Sequence, residues 1–318
     1  MGPFLLAAAL DTVVAPTYDE AFLHEWGVVV YAESTVSVVS SPGSFQPAPP
    51  PDEPIMVEAP VIYLYGGSYA FDLTVRIPSG TVTSAFPAPD GAATINMPLV
   101  DQRLSSITWR GMRTSCPYTT ELLPGNGSSE ERSCPGSWLE SCAGIWREVE
   151  SLNLLRDSDG FADRFMYYEC SLSPGALPLP LARPGLDPDG RYSGPVLVFS
   201  RLANGPGAGI YMTHAEDAWA VPPAVSRITT LTADEAFGLF SDWADGDTTG
   251  FSGLKPLEIQ TMWRTWAPYF LEGDWPGTNL VVFPIPRSMI DDISTIELRT
   301  DPEYPVVMNR FFLGMVSI

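Results

Sequence analysis

Hydrophobic and polar positions alternate through residues 69–77: Phe71, Leu73, Val75 and Ile77 fall on one side, and Asp72, Thr74 and Arg76 on the other. A period of two predicts a strand with one wet face. Pro78-Ser79-Gly80 then supplies turn chemistry and Thr81 to Phe86 returns, so 69–86 reads as a β-hairpin. Just upstream, Val61 to Tyr65 (VIYLY) is a continuous run of β-formers closed by Gly66 and Gly67, the pattern of a buried strand. Further strands are predicted at 26–38, 105–110, 195–201, 209–213, 279–285 and 306–316. The last two are too apolar to leave in water, which predicts a buried sheet with two helices across one face.

The period becomes helical only late in the chain. Thr232-Ala233-Asp234-Glu235 spells T-x-x-E, in which the hydroxyl and the carboxylate each satisfy a free amide of a first turn. Ala236, Phe240 and Trp243 then share one face, and Asp245-Gly246-Asp247 stops the helix. A second helix is predicted from Pro256, with Ile259, Met262, Trp263 and Trp266 as its apolar stripe. Pro268 should end or kink it near Trp266, since proline lacks the amide that continues the ladder. The fold class that follows is α+β and predominantly β: an antiparallel sandwich-like N-terminal part, and a C-terminal sheet covered by two helices.

Proline punctuates this pattern twice. Residues 41–60 hold seven prolines, three of them consecutive at 49–51, and read as an extended loop or linker. Residues 171–195 hold six more and read as a second connection. The organisation expected is therefore a β-sheet domain over 23–170, with a disulfide-stapled insertion at 111–146, then the connection at 171–195. An α+β part over 196–318 packs on the first. Residues 1–22, apolar from Phe4 to Leu10, read equally as an export-signal remnant or a flexible N-terminus.

Composition narrows the function classes. Apolar residues at 45% and aromatics at 11% are enough for a folded core. Acids outnumber bases 38 to 17, for a net charge of -21, so strong affinity for a phosphate backbone is excluded and nucleic acid is not an expected partner. Lys255 is the only lysine. No apolar run approaches the ~18 to 20 residues of a transmembrane helix. All four cysteines, Cys116, Cys134, Cys142 and Cys170, fall in one stretch, and their gaps do not match paired zinc ligands. Two disulfides are the expectation, in any of three connectivities, and would place the protein in an oxidising compartment: extracellular, cell surface or periplasm.

Candidate chemistry is sparse. His24 and His214 are the only histidines, so an imidazole site must use one of them, and a metal site would join both with a carboxylate such as Glu216 or Asp217. Because His24 and Glu25 are sequence neighbours on a strand, they point to opposite faces. The nucleophile elbow, the P-loop, H-E-x-x-H and the dinucleotide-binding fingerprint are all missing. No cofactor is expected; Asp157, Asp159 and Asp163 sit on a turn-prone loop that reads as a solvated acidic turn, with calcium as the alternative, although the spacing is not that of an EF-hand. Trp263, Trp266, Tyr269, Phe270 and Trp275 crowd together; Tyr269 and Trp275, beyond Pro268, are the members expected at the surface, where they could stack on carbohydrate.

Several segments taken together resemble an uncharacterised family of exported bacterial proteins. They are His24-Glu25-Trp26-Gly27, Glu58 to Tyr65 (EAPVIYLY), Asp163 to Tyr168, Met262 to Trp266 with Glu272-Gly273, and Phe283 to Leu298 with Phe311 to Ser317. No reaction is established for that family, so the resemblance implies export and one integrated unit, and no site residue. The expected function is an exported, non-catalytic β-rich binding or cell-envelope protein, with carbohydrate or an envelope component as ligand. The alternative is an exported hydrolase using a carboxylate pair or a His24/His214 metal site.

Overall fold

The structure, a computed structural model, describes residues 19–31, 54–90, 103–115, 138–182, 191–203, 206–219, 228–246, 253–272 and 275–318. In chain order the strands begin with β1 (Ala21–Tyr31), β2 (Ile55–Tyr65), β3 (Ala70–Arg76), β4 (Gly80–Phe86) and β5 (Ser106–Ser115). Helix α1 (Trp138–Trp146) precedes β6 (Asn153–Arg156), β7 (Phe161–Asp163), β8 (Met166–Leu172), β9 (Pro195–Arg201), β10 (Ala208–His214) and β11 (Thr229–Leu231). Helices α2 (Ala233–Asp245) and α3 (Pro256–Glu272), strand β12 (Asn279–Pro284), the short helix α4 (Ile290–Ile293), β13 (Thr295–Asp301) and β14 (Val306–Ser317) complete the chain. Among the described residues, strand outweighs helix by about 48% to 21%, so the fold is α+β and predominantly β.

Two sheets organise these strands. The larger has nine, in the order β11-β10-β9-β12-β14-β1-β2-β8-β4, and the smaller has five, in the order β13-β3-β5-β6-β7. Both draw on both ends of the chain: β1 lies parallel to β14 at the centre of the large sheet, and β13 pairs with β3 in the small one. The proline-rich stretch at 171–195 is therefore no boundary between sheets. The buried side chains form one contiguous core.

The two apolar C-terminal runs are neighbours, β12 antiparallel to β14, and every residue of β12 is buried. Helices cover one face of the large sheet: Phe270 of α3 stacks on Phe199 of β9 at 5.1 Å, Phe240 of α2 meets Phe311 of β14 at 6.3 Å, and Trp146 of α1 meets Trp26 of β1 edge-on at 6.2 Å. The capping box of α2 forms as expected, Thr232 accepting from the Glu235 amide and Glu235 from the Thr232 amide, and Gly246 closes the helix with φ of 91°.

Five expectations are corrected. First, residues 69–86 are not a hairpin, because β3 pairs with β5 and β13 while β4 pairs with β8. The Pro78-Ser79 turn carries the chain from one sheet to the other. Second, Ile55 to Pro60 is strand rather than loop, and Pro60 is accommodated where the β2 register shifts between Val57 and Val61. A proline at a bulge removes no ladder bond. Third, α3 runs through Pro268 to Glu272. Pro268 and Arg264, whose carbonyl loses its partner, are both exposed, so water can replace that bond. Fourth, α1 lies inside the expected insertion. Fifth, β8 and β13 fall in segments with no strand expected. Of the strand expected at 26–38, β1 covers the part to Tyr31, and 32–38 lies outside the described residues.

Candidate functional site

The parallel register of β1 and β14 sets Glu25 opposite Arg310 and His24 opposite Asn309. Since successive side chains leave a strand on opposite faces, this motif builds two polar clusters back to back.

On the face away from the three long helices, Glu25 is wholly buried and Arg310 nearly so. Arg310 Nε donates to Glu25 Oε2 at 2.6 Å, and the Tyr168 hydroxyl donates to Glu25 Oε1 at 2.7 Å. The remaining guanidinium nitrogens reach Asp291 Oδ1 and the Ser294 carbonyl, both at 2.9 Å, and Ser294 Oγ at 2.7 Å. Ser294 Oγ in turn lies 2.7 Å from the Tyr168 hydroxyl. A buried ion pair is tolerable only when its spare lone pairs and protons are also bonded, and here they are. Burial first, and then the Glu25 charge, push the Tyr168 hydroxyl and the Cys170 thiol well above their usual ranges, so both stay protonated.

Toward the helices, His24 is 4% exposed. Its Nδ1 lies 2.8 Å from Glu258 Oε2, and its Nε2 lies 3.1 Å from Asn309 Nδ2. This matches an imidazole that donates from Nδ1 and accepts the amide proton at Nε2. Glu258 is the third residue of α3, and the same oxygen accepts the Lys255 backbone amide at 2.7 Å, as a glutamate does in a capping box. The carboxylate thus ties the start of α3 to β1. Tyr65 packs its ring 4.7 Å from the imidazole, and Lys255 Nζ sits 3.4 Å over that ring. Burial lowers the amine's affinity for its proton, partly offset by Glu258 and Glu150.

The other sequence candidates scatter. His214 is exposed at the end of β10, and β9, β12 and β14 stand between it and β1, about 19 Å at ~4.8 Å per strand spacing. The two histidines are not brought to one ion. The aspartates on the expected calcium loop face arginines instead: Asp157 holds Arg113 at 2.8 Å, Asp163 binds Arg147 through both oxygens, and Asp159 binds Arg156 at 2.6 Å. The loop is the turn of the β6–β7 hairpin, with Gly160 at φ of 68°. Among the described residues no group of three His, Cys, Asp or Glu is placed to hold a metal.

Trp275 is not a surface platform. It is 1% exposed and packs edge-on against the half-buried Tyr269 of α3 at 6.3 Å. The cysteine expectation is corrected in part as well. Cys142 on α1 and Cys170 on β8 carry free thiols, each buried within a separate element, while Cys116 and Cys134 lie outside the described residues.

One feature escaped the sequence reading. Burial, with the Glu58 charge adding to it, pushes the Glu169 carboxyl up to about 7, although the Tyr167 hydroxyl donates to it. Glu58 lies in the EAPV segment of β2, and Glu169 in the adjoining β8. The only sequence signal was a glutamate in an otherwise apolar run (MYYECSL).

No family model matches the chain, and no curated protein sequence is similar to it. Among solved structures, the chain is similar to the Fcho1 Mu homology domain of Danio rerio with bound Eps15 peptide, at 10% identity over 94% of each chain with a TM-score of 0.27. A likeness that distant carries no functional argument.

Proposed function

We propose that this chain is an exported, non-catalytic, β-rich binding or envelope-associated protein, as in the bacterial group its motifs resemble. The observation that supports this reading is the state of His24 and Glu25. Both imidazole nitrogens and both Glu25 oxygens are engaged by protein groups. A general base needs a lone pair within reach of a substrate proton, and here none is offered to solvent. The motif therefore acts as a strut that joins β1 to β14, α3 and the segment leading into β13. Export is supported by the net charge of -21 and the single lysine, with the resemblance pointing the same way.

Two measurements on the full chain test this. It should cosediment with isolated cell-envelope fractions, and it should turn over no chromogenic ester, glycoside or phosphoester in a way that His24→Asn abolishes. Absence from the pellet, or turnover lost in a folded His24→Asn variant, overturns the reading.

A second reading, a hydrolase working through a carboxylate pair, is favoured by Glu169. A carboxyl that keeps its proton to near neutrality beside a second carboxylate is the arrangement of an acid and its partner base. Glycoside turnover that disappears in Glu169→Gln, with the fold retained, would establish it over the first.

A further inference from the structure

At the end of the large sheet where β4, β8 and the start of β2 come together lies an open groove of about 750 Å³, within the size range of small-molecule sites. Its lining combines the hydroxyls of Ser79, Thr81, Ser171 and Ser173 with Pro54, Pro78 and Pro174, and one charged side chain, Arg103. The backbone makes the cleft. A Cβ on Gly80 would stand 2.2 Å from the Ser171 carbonyl oxygen, so glycine lets β4 approach β8 at this point, and the Ser173 amide donates to the Ser79 carbonyl at 2.7 Å.

Arg76, Arg113, Arg147, Arg156, Arg264 and Arg310 each hold a carboxylate, whereas Arg103, like Arg191 and Arg287, makes no ion pair or side-chain hydrogen bond among the described residues. The same is true of the four hydroxyls around it. Its backbone also has φ of 48°, a region that residues with a Cβ seldom occupy. The next two residues hold that conformation in place, the Leu104 carbonyl accepting from Val82 and the Ser105 carbonyl from Ile77, both at 2.7 Å.

We propose that this groove binds a sugar acid, a polyol carrying one carboxylate, with the carboxylate on Arg103 and the ligand hydroxyls on Ser79, Thr81, Ser171 and Ser173. A guanidinium presents two parallel donors that match a carboxylate. Serine and threonine hydroxyls donate and accept, as polyol hydroxyls require. The proline rings offer apolar surface to the carbon face of a pyranose. One cation in the groove, on a chain whose net charge of -21 repels anions in general, limits the ligand to a single negative charge. The inference rests on the binding reading above and names its ligand class.

The test is calorimetric titration of the full chain with galacturonate, galactose and inorganic sulfate, and with a galacturonate oligomer to distinguish a free sugar acid from the end of a polymer. Galacturonate should bind at least tenfold more tightly than galactose or sulfate, and Arg103→Gln should weaken it at least tenfold. Arg103→Gly, which relieves the backbone conformation as well as removing the charge, should lose binding with a melting temperature no lower than the parent. Tighter binding of the oligomer would identify a polymer end as the source; equal binding, the free acid. Equal affinity for galactose or sulfate, no binding at all, or unchanged binding in Arg103→Gln overturns the proposal. Cosedimentation with envelope in the absence of galacturonate binding would sink this inference alone.

Discussion

Glu25 and Arg310, 285 positions apart in the chain, are direct register partners across the one parallel seam of the large sheet and meet at 2.6 Å. The pair is buried and fully hydrogen-bonded, and His24 on the reverse of the same strand is equally occupied by Glu258 and Asn309. The adjacent His24 and Glu25 are thus two fastenings, one on each face of β1. The two later residues of the motif serve the same end: Trp26 packs against Trp146, and Gly27 opens the space for the neighbouring strand.

Gly27→Ala tests that last role. An added Cβ would lie 2.8 Å from Phe312 Cε1 and 3.1 Å from Pro60 Cα, where β1 and β2 change register. Overpacking of this kind costs about 1 to 3 kcal/mol. Urea unfolding should show a midpoint lowered accordingly with unchanged slope; a variant as stable as the parent would mean that the β1–β2 contact yields freely.

The stability of the protein should depend on pH through Glu169. Its carboxyl titrates near 7 in the fold against a usual 4.5, so the native state binds more protons than the unfolded chain between those values. Stability therefore declines as pH rises from about 4.5 to 7, by on the order of 3 kcal/mol at about 1.4 kcal/mol for each pH unit. Glu169→Gln should remove this decline. An identical profile in the variant would assign the pH dependence to other groups.

Cys142 and Cys170 should resist alkylation in the native protein, since burial raises both thiols. Brief iodoacetamide treatment followed by peptide mapping should leave both unmodified, and treatment in guanidinium without reductant should label both. Failure to label them after unfolding would show that they are bridged.

Much of this architecture was legible wherever a local rule had no competitor. The Thr232/Glu235 capping box, the start of α3 at Pro256 and the two apolar C-terminal strands all form where local pattern and tertiary packing agree. Pairing was not legible, because the Pro78-Ser79 turn has the chemistry of a hairpin whether its strands bond to each other or to different sheets. Strand β13 (TIELRTD) was hidden by its charges, which suit a sheet edge. The partners of His24 and Glu25 lie more than 140 residues away in the chain, and no spacing rule spans such a gap. Trp275 lies beyond the end of α3, where helical periodicity no longer says which side chains are buried.

The structural role of the motif is most directly measured by a double-mutant cycle on Glu25→Leu and Arg310→Met, followed by urea unfolding at pH 7. Each single change strands a buried charge and should cost roughly 3 to 5 kcal/mol. The double variant should lose far less than the sum of the two, with an unchanged far-UV spectrum. Singles as stable as the parent, or a double variant destabilised by the full sum, would contradict the view that these residues fasten the sheet.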